Sequence, residues 1–149
     1  MAEKDIEEKD REKTVSAAQA KRDVVIMAER LALLYHAFVQ AMAAELAAAR
    51  AAYEAVVRFV AENGKADPNA AFAASVPYLM LAGNLMAGWQ LARSWLATHD
   101  LPADDAAFAS AKRATAAFYC AHILPRCGAL RDAVLNGGDS VMALPVESF

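Results

Sequence analysis

The sequence predicts an all-α fold: a bundle of three long helices, two of them kinked at proline, with a short C-terminal turn and a charged N-terminal helical extension. Three observations carry that reading. Hydrophobic residues make up 58% of the 149 residues, and alanine supplies much of the excess. Alanine is the strongest helix former, since it has no side-chain entropy to lose. The 6 glycines and 5 prolines fall at a few punctuation points, and strand-like alternation of β-branched residues is absent. Between those points apolar residues recur in steps of three and four. The length favours a single bundle, set at residues 23–149, behind an extension or linker at 1–22.

Residues 1–22 carry charges of alternating sign. Asp5–Lys9 and Glu7–Arg11 are acid-before-base pairs at i,i+4, which suit a solvated helix. Ile6 is the only strongly apolar residue before Val15, so the segment reads as an exposed helical extension, or as a docking arm or linker. The charge sits where a signal peptide would be apolar, and the cytoplasm is the expectation. From Val24 the pattern becomes amphipathic. Val24, Ala28, Leu31, Tyr35, Phe38, Met42, Leu46, Ala49, Tyr53, Val56 and Val60 mark one helix face. Asn63-Gly64 is the expected stop, with glycine in the left-handed conformation, and a break near Thr14 to Ser16 is also expected.

Asp67-Pro68 opens the second helix, with aspartate as cap and proline in the first turn. Pro77 should kink it. Gly83, Ala87 and Gly88 would let a neighbouring helix approach closely. The run from Pro68 to Ala92 holds no formal charge, which raises a membrane-spanning reading. Ser75, Pro77, Asn84 and Gln90 argue against it, as does Arg93 immediately after. A fully buried central helix is the expectation instead, with Trp89 in the core and Trp95 left open between core and partner. His99 to Pro102 ends this helix, and Asp104 is the expected cap of the third. Its apolar stripe runs Phe108, Ala111, Thr115, Phe118, His122, Ile123, Arg126, Leu130 and Val134. Pro125 should kink it, and Asn136-Gly137-Gly138 should end it. Beyond it, a short turn at residues 140–143 is expected, with Val141, Met142 and Leu144 packed on the bundle.

Chemistry is sparse. A net charge of −3 with no basic stripe excludes a nucleic-acid partner. His36, His99 and His122 lie apart in the sequence, and the Glu-x-x-His pairs of a bundle metal site are missing. Cys120 and Cys127 have neither disulfide nor zinc-ligand spacing and read as small core or near-surface residues. Cys120 and His122 fall on different helix faces, which speaks against a nucleophile–base pair. Gly137-Gly138 has no preceding strand and is a helix stop, not a phosphate cradle. No catalytic, cofactor-binding or metal residue is therefore assigned.

Three strings carry a resemblance: Ala111-Lys112-Arg113-Ala114-Thr115-Ala116-Ala117-Phe118-Tyr119, Ile123-Leu124-Pro125-Arg126, and Asp139-Ser140-Val141-Met142-Ala143-Leu144-Pro145. With Pro77-Tyr78-Leu79, Gly88-Trp89 and the turn at Asn63-Gly64, they resemble the helical domain that follows the catalytic body in one branch of acyl-CoA dehydrogenases, the methylmercaptopropionyl-CoA dehydrogenase-like branch. The resemblance covers roughly residues 25 to 149. It implies an accessory domain, not catalytic by itself, that packs on a catalytic body in cis or in trans or at a subunit interface. FAD is expected only in that body, because the flavin-contacting segments and catalytic glutamate are not in this chain. The alternative is a free-standing helical scaffold or homodimerisation module. Residues 1–22 do not look like the end of a dehydrogenase body, and Met1 reads as a start. Both a free-standing relative and a piece of a longer protein fit these features.

Overall fold

A computed structural model describes residues 2–141, 143 and 146–148, with side chains for these except residues 2–12, 17, 18 and 146. Among the described residues every regular element is helical: α1 (Ala2–Asn63), α2 (Pro68–Ala73), α3 (Ser75–Ala97), α4 (Ala106–His122), α5 (Arg126–Asn136) and α6 (Gly138–Val141). Short 3₁₀ turns at Thr98–Asp100, Ala103–Asp105 and Val146–Ser148 complete the order. The chain divides into two compact units, residues 1–40 and 41–149.

The first unit is helical from Ala2 onward. The expected break near Thr14 to Ser16 does not occur. Neither glycine nor proline stands there, and a serine or threonine hydroxyl does not by itself interrupt a helix. Val24, Val25, Ile26, Met27, Leu31, Leu33 and Leu34 are all exposed. Gln19 donates to Asp23 at 3.0 Å, and Tyr35 meets His36 edge-on at 5.7 Å. The proposed pairs at residues 5–9 and 7–11 lie outside the described side chains.

The second unit holds the core. The α1 stripe is buried or half-buried from Met42 through Leu46, Ala49, Tyr53, Val56 and Val60, as the periodicity predicts. Asn63 ends α1, but Gly64 is not left-handed; no described glycine has positive φ. The glycine is needed for close approach instead. Gly64 N–H donates to the Val60 carbonyl at 2.9 Å, and a Cβ would sit 2.7 Å from that oxygen. Asp67 caps α2 as expected, accepting from Ala70 N–H at 3.1 Å with Pro68 in the first turn.

Both predicted proline kinks are full helix boundaries. The second predicted helix divides at Ala74 into α2 and α3, with Pro77 in the first turn of α3, where a missing N–H costs little. The third divides at Ile123–Pro125 into α4 and α5, with Pro125 capping α5. Asp104 is not the cap of α4. That position falls to Asp105, without a side-chain bond, because the 3₁₀ turn over 103–105 carries the chain one residue further. Gly137 ends α5, although without the left-handed conformation, and α6 replaces the turn expected near Ser140. Val141 is exposed rather than packed, and Met142 and Leu144 lie outside the described residues.

The core of this unit is built largely from small side chains. Leu81, Gly88, Ala92 and Trp95 form the buried face of α3. Ala109, Ala116 and Cys120 form that of α4, with Leu124 next to it, and Cys127 and Val134 that of α5. Gly88 makes one close approach possible: a Cβ there would come 2.6 Å from Leu124 Cδ2. A polar clasp joins the end of α3 to α4. Buried Thr98 donates to the Trp95 carbonyl at 2.7 Å and accepts from Arg113 Nε at 2.8 Å, while an Arg113 terminal nitrogen donates to the Thr98 carbonyl at 3.2 Å. Thr98→Val removes the hydroxyl at constant shape and leaves Arg113 Nε without its acceptor. It should cost about 1–2 kcal/mol in a urea melt. A loss below about 0.3 kcal/mol would show that the clasp contributes nothing beyond what water supplies.

Candidate interaction surface

The helix faces turned away from the core are apolar, and this is where the structure departs most from the sequence reading. α3 is not a fully buried central helix. Opposite its core face it exposes Val76 (66%), Leu79 (72%), Met80 (54%) and Met86 (55%). Trp89, expected in the core, is exposed with the Arg93 guanidinium 5.0 Å above its ring. Trp95, left open, is the core tryptophan, and its ring meets that of His99 at 5.3 Å.

On α4 the predicted stripe is real as a stripe but points outward. Phe108, Ala111, Thr115, Phe118 and His122 share one face at helical spacing, and all are exposed. The core takes Ala109, Ala116 and Cys120 instead. Close packing of α4 on its neighbours requires small residues at the contact, so the phenylalanines are left on the far side. Lys112 lies 5.2 Å from the Phe108 ring centre, and Phe118 packs 4.7 Å from the His122 ring. Exposed apolar faces of this kind mark contacts with proteins or membranes, or ligand grooves.

The remaining features read as structural. Cys120 and Cys127 are buried and unbonded, as expected of small core residues, although they lie on separate helices. Burial pushes both thiols up from their ordinary range, with Glu45 adding to the effect at Cys120. Both are therefore held as thiols, the form that does not attack. Tyr53 and Tyr78 stack at 5.8 Å with their hydroxyls 3.2 Å apart. That hydrogen bond, then burial, raises the Tyr78 phenol. Burial, then the nearby Cys127, raises Tyr119, whose hydroxyl donates to the Asn84 carbonyl at 3.4 Å. Among the described residues no group of three or more His, Cys, Asp or Glu side chains could hold a metal ion.

An open cleft of about 460 Å³ lies where the end of α1 and α2 face α5 and α6. Two of its polar lining residues are engaged in helix ends: the Asn63 amide donates to the Phe59 carbonyl at 2.9 Å, and Asp67 caps α2. By length and apolar composition one helix among the described residues could cross a membrane. It is α1 over Lys13–Asn63, not the uncharged run from Pro68 that first raised the question.

Comparison with known proteins gives these faces a setting. The 3-methylmercaptopropionyl-CoA dehydrogenase of Ruegeria pomeroyi is 43% identical over 105 residues, covering 69% of this chain and 18% of that enzyme. The chain thus corresponds to a minor part of its relative. The model of the family described as acetyl-CoA dehydrogenase C-terminal like matches residues 9–145, including the α4 string from Ala111 to Tyr119. Matched over that range, and helical in every regular element among its described residues, the chain belongs to the acetyl-CoA dehydrogenase C-terminal-like family.

Proposed function

We propose that the chain is an accessory helical domain that docks on the catalytic body of a flavin-dependent acyl-CoA dehydrogenase, in cis or in trans. The outward face of α4 is the docking surface. One observation carries this reading: the string that bears the family resemblance lies on α4, and its exposed members Ala111, Thr115 and Phe118 line up with Phe108 on a single apolar face. Two exposed phenylalanines spaced ten residues apart suit anchoring in pockets of a partner. His122 at one end and Lys112 beside Phe108 supply a polar rim.

FAD belongs, on this reading, to the body.

The test is calorimetric titration of the chain into an acyl-CoA dehydrogenase body that lacks its own C-terminal domain. Saturable binding is expected. Phe118→Glu should weaken it at least about tenfold, because a carboxylate would be buried where an aromatic anchor stood. The lack of any binding, or binding indifferent to Phe118→Glu, would count against the reading. So would a purified chain that is yellow with stoichiometric flavin.

A further inference from the structure

We infer that α1 over residues 24–39 is a second docking element, held in a cleft of the same catalytic body with apolar contact on two opposite sides. The inference rests on the docking reading above but concerns a different surface, in the first unit. Val24, Val25, Ile26, Met27, Leu31, Leu33 and Leu34 are each 47–70% exposed. Together they leave roughly 750 Å² of apolar side chain in water, close to the 800 Å² or so that one partner brings to a standard interface. Single exposed leucines need no explanation, but a continuous patch of this size does.

The arrangement round the helix selects the occupant. Val24, Met27, Leu31 and Leu34 share one side, at steps of three and four. Ile26 and Leu33 stand two residues past Val24 and Leu31, about 200° round the helix, and so face the other way. Two narrow polar strips separate these sides. Arg22 and Glu29 lie on one strip and Asp23 and Arg30 on the other, each an opposite-charge pair seven residues apart. A flat protein face, or one helix of any partner, would cover the first side and leave Ile26 and Leu33 in water. A lipid surface likewise takes one face. Crossing a bilayer needs about 20 apolar residues, and Glu29 and Arg30 interrupt this run.

A helix that is apolar on opposite sides is one that is buried between neighbours. Two apolar elements of a larger protein, one against each side, meet the requirement. The polar strips then lie at the seams between them, where no ion need be buried. The catalytic body is a partner of the necessary size. The family match begins at residue 9 and takes in this segment, while the matched part of the Ruegeria enzyme is 18% of its length.

Alkylation of single cysteines tests both sides. Cys120 and Cys127 are buried, so a cysteine placed on this segment supplies the reactive thiol. In the free full chain Leu31→Cys and Leu33→Cys should both react readily with N-ethylmaleimide. With an excess of a dehydrogenase body that lacks its own C-terminal domain, both should react at least about tenfold more slowly. Protection of Leu31→Cys alone means a one-sided contact and overturns the inference, as does protection of neither while the body is bound. Anionic phospholipid vesicles should protect neither; protection by vesicles and not by the body would assign the segment to a lipid surface and overturn it too. In calorimetry Leu31→Glu and Leu33→Glu should each weaken binding to the body at least about tenfold. Both positions are exposed, so helicity by circular dichroism should persist. Binding weakened by Phe118→Glu but by neither of these overturns this inference and keeps the α4 reading. The reverse pattern overturns the α4 assignment and keeps this one, and a body that does not bind the chain removes both.

Discussion

Replacing Leu81 by alanine should destabilise the unit of residues 41–149 by about 3 kcal/mol, within the roughly 2–5 kcal/mol range for buried leucines. Leu81 is fully buried on the core face of α3, in a core where alanine, cysteine and glycine predominate. Few large side chains share its task, and small neighbours have no long side chains with which to fill a void. The cavity should therefore persist, which puts the loss well above the transfer cost of the deleted methyl groups alone. Urea denaturation followed by far-ultraviolet circular dichroism reads the effect as a lower midpoint at unchanged slope. Leu81→Met, which keeps volume, should cost under about 1.5 kcal/mol. Equal losses for the two variants would mean that Leu81 acts through its shape or backbone setting, not through filled volume.

The same small-residue core explains what could and could not be read from the sequence. Two helix ends were legible because their chemistry is local. Asp67-Pro68 and Asn63-Gly64 each fix a boundary within one turn, and the helix ends fall there. The α1 stripe was legible from Met42 to Val60 because glutamates and arginines mark its other side. On α3 and α4 that contrast disappears. α3 carries no charge before Arg93 and has apolar residues on both its buried and its exposed side, and on α4 the larger apolar residues stand opposite the alanines that pack. Side-chain size then misleads. A close helix–helix contact selects Ala109, Ala116 and Gly88, whereas periodicity weighted by hydrophobicity selects Phe108, Phe118 and Trp89. The Thr98–Arg113 clasp was not legible for a different reason: it joins residues fifteen apart across a turn whose path depends on the whole packing.

Outward aromatics therefore carry information that a buried stripe would not. A domain closed on itself would gain by turning Phe108 and Phe118 inward, at about 25 cal/mol per Å² of apolar surface removed from water. This one keeps them outside while alanine fills the contact. The arrangement makes sense if the outward α4 face is also covered, by a catalytic body. Family membership supports this.

Gly88→Val should cost about 3 kcal/mol, and the loss should depend on Leu124. A Cβ at residue 88 would approach Leu124 Cδ2 to 2.6 Å, Cγ to 3.1 Å and Cδ1 to 3.2 Å. One methyl could rotate away from such a contact. Three carbons of a side chain that is only 2% exposed cannot, so the two segments must separate. Helix propensity works in the opposite direction, since valine is better than glycine in a helix by about 0.4 kcal/mol, too little to compensate. Leu124→Ala alone should cost about 3 kcal/mol through the cavity it leaves. In the double variant the valine occupies part of that cavity, and the combined loss should fall short of the sum by at least about 1.5 kcal/mol. Four urea melts complete the cycle. Strict additivity would place the clash elsewhere and remove the case that Gly88 exists to admit Leu124. A coupling of the expected sign would fix the spacing between α3 and the α4–α5 corner, on which the outward direction of the α4 face depends.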